Sequence, residues 1–305
     1  MQVHEIRRQL RFSEDFHQLI GMLKDVAGQK YHSVEKEKRR FDRFMDAFST
    51  FFRVVNLMDV EDPLVHPATD VDGIVVLTSD SGFMGGLNNN VLRRALDLQG
   101  TRPNDKIAYV VIGDKGSGAL MDAGREYKAF PGINEDMIYE QTLEIRDYLV
   151  QEVLAERMGR VAVVYPQSLS FTQQQVTVVN LLPAADLFDE HIETEVAERS
   201  HHVRIIAEAR QVLVESDFKD ILEYLVSVWV ASKLYIVFED SKLSEYSARA
   251  IHLEDSEQKL DEQTKALRHQ MFRAAHEKID KGIRESFSAR SSRKRRRIRD
   301  DKKDE

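Results

Sequence analysis

Cysteine is absent from the 305 residues. Disulfides, thiolate-held metals and cysteine nucleophiles are therefore excluded. Proline is scarce, and all six prolines fall between Pro63 and Pro183. Internal proline breaks a helix, so both flanks are free to form long helices while the middle is punctuated. No apolar run approaches the ~20 residues that a membrane-spanning helix requires. An excess of positive charge is also lacking: 44 basic against 52 acidic residues give a formal net charge of −8. That balance argues against nucleic-acid binding over the whole surface. The opening stretch MQVHEIRRQLRFSEDF has no apolar h-region, and Glu5, Glu14 and Asp15 are out of keeping with a transit peptide. The chain is expected to remain in the compartment where it is made.

What is present is charge and periodicity. Charged residues make up 31% and hydrophobic residues 42%, a mixture typical of long solvated helices. In the N-terminal arm Ile20, Leu23, Ala27, Tyr31, Val34, Phe41, Met45, Phe48, Phe52 and Val55 recur in steps of three and four, with one seven-residue step across Lys38. This is a coiled-coil seam, and it predicts a helix from about Val3 to Leu57, locally weakened by Gly21 and Gly28. Leu253, Leu260, Thr264, Leu267, Met271 and Ala274 repeat the pattern in the C-terminal arm. DFKDILEYLVSVWVASKLYIVF, just before it, is more apolar and reads as a helix buried against a domain. Two seams at opposite ends suggest an antiparallel helix pair. The competing reading is two separate amphipathic helices on one globule.

The middle alternates differently. GIVVL (73–77), IAYVVI (107–112), VAVVY (161–165) and VTVVN (176–180) are β-branched runs separated by helical segments. That order predicts a parallel or mixed α/β sheet. LFDEHIETEVAERSHH reads as an acidic linker.

LTSDSGFMGGLNNN (77–90) follows a strand and precedes a helix, where phosphate loops occur. It has neither the Gly-Lys-Ser/Thr of a P-loop nor GxGxxG spacing, and no accompanying base or carboxylate pair. A structural turn is the stronger reading, with Asn88, Asn89 and Asn90 as an N-cap cluster and Gly85 and Gly86 in conformations closed to other residues. GDKGSG (113–118) has the same ambiguity and reads as a strand-to-helix turn. His201 and His202 are adjacent, and His269 and His276 share a helix face with no third ligand, so no metal is expected. RSSRKRRRIRD (290–300) could meet nucleic acid, but a solvated helix end is the commoner reading, and no nucleic-acid partner is expected.

LTSDSGFMGGLNNNVLRR resembles the Thr-Ser-Asp-Arg-Gly-Leu-Cys-Gly-Gly-Leu-Asn stretch of the gamma subunit of rotary ATP synthases, the central stalk. Thr78, Ser79, Asp80, Gly82, Gly85, Gly86, Leu87 and Asn88 coincide with it. GDKG is similar to that family's Gly-x-Lys-Gly, and QQQVTVVNLLP (173–183) to its Gln-x-Pro-x-x-x-x-Leu-Leu-Pro strand. SEYSARAIHLEDS (244–256) resembles Ser-Glu-x-x-Ala-Arg-Met-x-Ala-Met-x-x-Ala, and MLKDVAGQK (22–30) resembles Ala-Met-x-Met-Val-Ala-x-x-Lys. The matches keep their order from about residue 5 to residue 275.

The resemblance implies an α/β fold: a long antiparallel coiled coil of the N- and C-terminal helices plus a Rossmann-like α/β foot domain. The expected division is a coiled-coil helix over 1–60, a foot over 61–215, a second coiled-coil helix over 216–290 and a charged tail over 291–305. It also implies a non-catalytic rotor subunit without cofactor. Its partners would be a hexameric alpha/beta-type ATPase head, an epsilon-type small subunit and a membrane c-ring. Met22, Leu23, Lys24, Arg273, Ala274 and Lys278 are the expected partner contacts. The expected location is peripheral, on the cytoplasmic face of the bacterial inner membrane. This sequence departs from the family at Ser81 (Arg), Met84 (Cys), Ala274 (Gln) and Glu277-Lys278 (Ile-Thr), and its end is basic instead of apolar. These departures suit a divergent, alternate-type member. They also leave a second reading, a coiled-coil adaptor that has lost the ATPase head.

Overall fold

The structure is a computed structural model that describes residues 3–38, 62–100, 106–183 and 218–301. Its elements are α1 (Val3–Lys38), β1 (Asp72–Leu77), α2 (Leu87–Gly100), β2 (Ile107–Ile112), α3 (Asp114–Asp122), β3 (Tyr127–Phe130), a 3-10 turn (Glu135–Met137), α4 (Ile138–Leu154), β4 (Arg160–Ser170), β5 (Gln173–Leu182) and α5 (Phe218–Asp301). Packing divides the chain into two compact units, one of residues 1–24 with 253–305 and one of residues 25–252. This division follows contacts, whereas a division drawn from the sequence follows proline and charge.

Within the 25–252 unit, one five-stranded sheet has the order β3-β2-β1-β4-β5. The first four strands are parallel, and β5 returns antiparallel to β4 as a hairpin. The β1 strand is central, and all six of its residues are buried, as a continuous β-branched run predicts. Its side chains alternate between two cores. Val75 and Leu77 join Val110, Ile112, Val163, the α4 residues Ile145, Leu149 and Val153, and the α5 residues Leu222, Val226, Val230, Leu234 and Phe238. Ile74 and Val76 join Tyr109, Val111 and Val164, with Val91, Leu92 and Ala95 of α2 and Leu120 of α3. Helices therefore cover both faces, the arrangement a parallel sheet needs to hide its strands. The four parallel strands follow the Rossmann-type order, closed here by the antiparallel hairpin.

One element of this unit escapes a reading of the sequence, and another begins earlier than that reading places it. The α3 helix lies inside GDKGSG and the residues after it, where glycines disguise a helix. The β3 strand is a four-residue edge strand whose Lys128 and Ala129 are exposed, so it lacks a buried apolar run.

Within the other unit, α1 and α5 pair antiparallel. As residue numbers rise on α1 they fall on α5: Ser13 meets Thr264, Glu14 meets Arg268, and Lys24 meets Glu257 and Glu254. Buried Ile6, Leu10, Ser13 and Ile20 step by four, three and seven, the period of a coiled-coil seam. Leu253 and Thr264 are buried opposite them, with Leu260, Leu267, Met271 and Ala274 half-buried.

The seam needs one correction. Leu23 is 38% exposed and lies off it; the seam step from Ile20 lands on Lys24. A charged residue at a seam position misleads a search for apolar residues, but here two glutamates face it. Gly21 and Gly28 do not interrupt α1. The predicted continuation through Phe41 to Val55, and the linker with His201 and His202, lie outside the described residues.

Candidate functional site

The loop after β1 is the candidate for chemistry. Thr78 donates its hydroxyl to the Ile112 carbonyl (2.9 Å), and the same oxygen accepts from the Gly116 amide (2.9 Å). Ser79 donates its amide to Asn88 Oδ1 (3.2 Å), and Asn88 Nδ2 donates to Ser79 Oγ (3.0 Å). Asp80 accepts from the Asp114 amide (2.8 Å) and from the Gly132 amide (3.1 Å). One carboxylate thus joins the turns that follow β1, β2 and β3.

The glycines are there for space. A Cβ on Gly132 would lie 2.5 Å from the Asp80 carboxylate, and one on Gly116 would lie 2.6 Å from Thr78 Oγ1. Gly113, at φ +98, would bring a Cβ within 2.4 Å of the Thr78 carbonyl. In a phosphate loop, such backbone N–H groups would point at a ligand. Here the amides of Ser79, Asp114, Gly116 and Gly132 are donated to side chains of the same chain. The stretch is a knot that ties strand ends together, as the structural-turn reading expects.

Three details differ from that reading. Asn88 is no N-cap: it sits inside α2, which begins at Leu87, and reaches back to Ser79. Gly85 does adopt φ +56, but Gly86 has an ordinary backbone and open space around it, since a Cβ there would come no closer than 3.9 Å to Asn90 Nδ2. Gly82 is likewise unconstrained, and the second left-handed residue is the exposed Phe83, at φ 64. Met84, which stands where the resemblance has cysteine, is buried beside the Arg249 guanidinium, itself paired with Glu245 at 2.6 Å.

The expected partner contacts lie on the two helices. Met22 is 59% exposed on α1, beside Leu23. Arg273 and Lys278 are exposed on α5, and Ala274 is half-buried. Lys24 differs from these because its ammonium is held within the chain, 2.8 Å from Glu254 Oε2 and also on Glu257. Those hydrogen bonds raise the Lys24 pKa well above the ordinary lysine value and hold Glu254 below the usual carboxylate range. Gly21 leaves room for Glu257, whose Oε1 would be 3.3 Å from an added Cβ. No group of three or more potential metal ligands occurs among the described residues.

A strand-end knot, an open-ended α/β sheet and an antiparallel helix pair can now be set beside known proteins. A family model described as ATP synthase matches residues 2–291. The chain belongs to the ATP synthase gamma family. The gamma chain of Desulforudis audaxviator is 29% identical over 214 residues, covering 68% of this chain and 70% of that protein. The gamma chain of Leptothrix cholodnii is 25% identical and covers 81% of this chain and 84% of its own length. Among solved structures, a chain of the Euglena gracilis mitochondrial ATP synthase rotor has a similar fold. It has a TM-score of 0.64 at 17% identity and covers 91% of this chain and 98% of its own.

Proposed function

We propose that this gamma-family chain is the central-stalk rotor of a rotary proton- or sodium-translocating ATP synthase or ATPase. It transmits torque between a membrane c-ring and a hexameric alpha/beta-type head, and it catalyses nothing itself. The observation that carries this reading is the antiparallel helix pair of α1 and α5 in a chain matched by the family model over residues 2–291. A paired helix resists twisting better than a single one, because the load falls on a packed seam as well as on the backbone ladder. An asymmetric shaft that touches successive head subunits differently favours different states in each, which is what coupling requires.

On this reading the helices of 1–60 and 216–290 face the head, the 61–215 foot faces the ring and an epsilon-type subunit, and 291–305 is a charged tail. Met22, Leu23, Arg273, Ala274 and Lys278 belong to the surface offered to the head, with Lys24 bracing the pair from within. Among the described residues no helix is long and apolar enough to cross a membrane. Attachment to the membrane is then peripheral and through partners, on the cytoplasmic face of a bacterial inner membrane. The adaptor reading rests on the departures at residues 274–299. It is not favoured, because the family match runs past Ala274, Glu277 and Lys278 to residue 291.

The test is affinity purification of the tagged chain from its own cells, followed by assay of the eluate. Co-elution of alpha-, beta- and ring-type subunits with ATPase activity is expected. Recovery of the chain without any head subunit would overturn the rotor assignment.

A further inference from the structure

A shaft of two helices carries torque through both only if the α/β unit grips both. Within the 25–252 unit, α5 is gripped broadly: Leu222, Val226, Trp229, Val230, Leu234, Val237 and Phe238 are all buried in one core. Among the described residues of α1 in this unit, only Ala27, Tyr31 and Val34 are buried and apolar. Tyr31 and Val34 form a small separate cluster with Leu243 and Tyr246, against which Phe171 packs.

We propose that Lys30, Tyr31, Glu135 and Phe171 form a clamp that stops α1 from rolling against the α/β unit and so brings the N-terminal helix under load. This rests on the rotor reading. Tyr31 sets its ring edge-on to Phe171, with centroids 5.0 Å apart and planes at 87°. His32 lies parallel to the same ring at 6.5 Å. Lys30 donates to Glu135 Oε2 at 2.8 Å and stands 5.4 Å from the Tyr246 ring centroid.

The geometry matters more than the strength of each contact. Consecutive helix residues point roughly 100° apart. A single line of contact would allow α1 to roll about its axis. Lines at Lys30 and Tyr31, held by different elements, oppose rolling.

Both jaws stand on fixed structure. Phe171 is at the tip of the β4–β5 hairpin, and its carbonyl accepts from Gln174, which also donates to Ser247 of α5 (2.9 Å). Ser244 of α5 donates to the Pro166 carbonyl in β4 (2.9 Å). Glu135 lies in the 3-10 turn that Asn134 caps through the Asp136 amide.

The test uses the full chain carrying Phe171→Ala with Glu135→Gln. Both residues lie outside the two sheet cores, so folding should survive. Hydrogen exchange is read first on the chain alone, where amides 27–34 should exchange up to about tenfold faster while 73–77 and 161–164 stay unchanged. The chain is then reconstituted with head and ring subunits in inverted vesicles. ATP hydrolysis should persist while ions pumped per ATP fall, and Phe171→Tyr with native Glu135 should keep both at native levels. Unchanged exchange would mean that these residues do not hold the helix. Faster exchange with undiminished pumping would mean that they hold it but bear no torque. Either result overturns the clamp. Failure of the unaltered chain to join a head and ring overturns the rotor reading instead, a result distinct from both.

Discussion

At the end of β1 one hydroxyl serves two neighbours: Thr78 Oγ1 donates to Ile112 and accepts from Gly116. There is no room for anything more. A Cβ on Gly116 would lie 2.6 Å from that oxygen and 2.7 Å from Val111 Cγ1. Gly116→Ala should therefore destabilise the α/β unit by about 2 kcal/mol through overpacking. Gly85→Ala should cost about 1 kcal/mol through its left-handed backbone. Gly86→Ala should be neutral or slightly stabilising, since Gly86 is followed at once by α2 and its carbonyl accepts the Asn90 amide. Urea midpoints of the three variants should therefore rank Gly86→Ala, Gly85→Ala, Gly116→Ala, highest to lowest. An equal loss at Gly85 and Gly86 would contradict the difference in their backbones. The residues of this knot stand out in the sequence because they coincide with a family stretch. Their purpose does not, since the amides that Asp80 accepts from lie 34 and 52 positions away. Local spacing carries no record of such distant neighbours, and a cluster of three asparagines invites a capping explanation that the fold does not use.

Along the paired helices, periodicity locates the seam but not all of its polar steps. Leu23 satisfies a search for apolar residues, while Lys24 occupies the seam because Glu254 and Glu257 are there to receive it. Similarly, Ser13, which the apolar pattern passes over, is buried and shares a hydrogen bond at 2.7 Å with Thr264, which the pattern includes. Charge in a seam is legible only once the opposite helix of the pair is known, and the sequence does not state the register. The Lys24 bridge gives the pair a defined pH dependence. Glu254 has its folded pKa lowered, so its contribution is present above the unfolded value of 4.5 and is lost as pH falls through the folded one. Lys24 has its folded pKa raised, so its contribution is full below 10.5 and is lost only as pH rises through the higher folded value. The difference in melting temperature between the native chain and Lys24→Met should thus be flat from about pH 5 to pH 10 and shrink in more acid solution. Circular dichroism at matched ionic strength reads this directly. A difference that instead grew on acidification would remove the bridge as its cause.

For the molecule as a whole, the proline-free flanks and the β-branched centre made the fold class readable, because helix breaking and strand burial are local matters. The sharing of α5 between the two compact units was not readable, since its 84 residues show no break at residue 252. Six cations, Arg293, Lys294, Arg295, Arg296, Arg297 and Arg299, crowd the far end of the chain. Burying unpaired cations costs several kcal/mol each, so this stretch is not suited to a dry apolar contact. A chain truncated after Ser288 should therefore still bind its head subunits and support ATP hydrolysis, with any loss of affinity confined to low salt. Loss of head binding at high salt would make the tail a specific docking element. The course of α5 also has a consequence in time. A ribosome releases β1 through β5 well before it releases Leu222 to Phe238, yet those residues complete the core beneath Val75, Leu77, Val110 and Ile112. During synthesis this face of the sheet is therefore uncovered apolar surface until most of the chain has emerged, and Tyr31 waits longer still for Leu243 and Tyr246. A nascent chain in that condition is prone to aggregate and is suited to chaperone capture. Stalling translation near residue 215 should yield a species that binds chaperones, and stalling beyond residue 290 should release it.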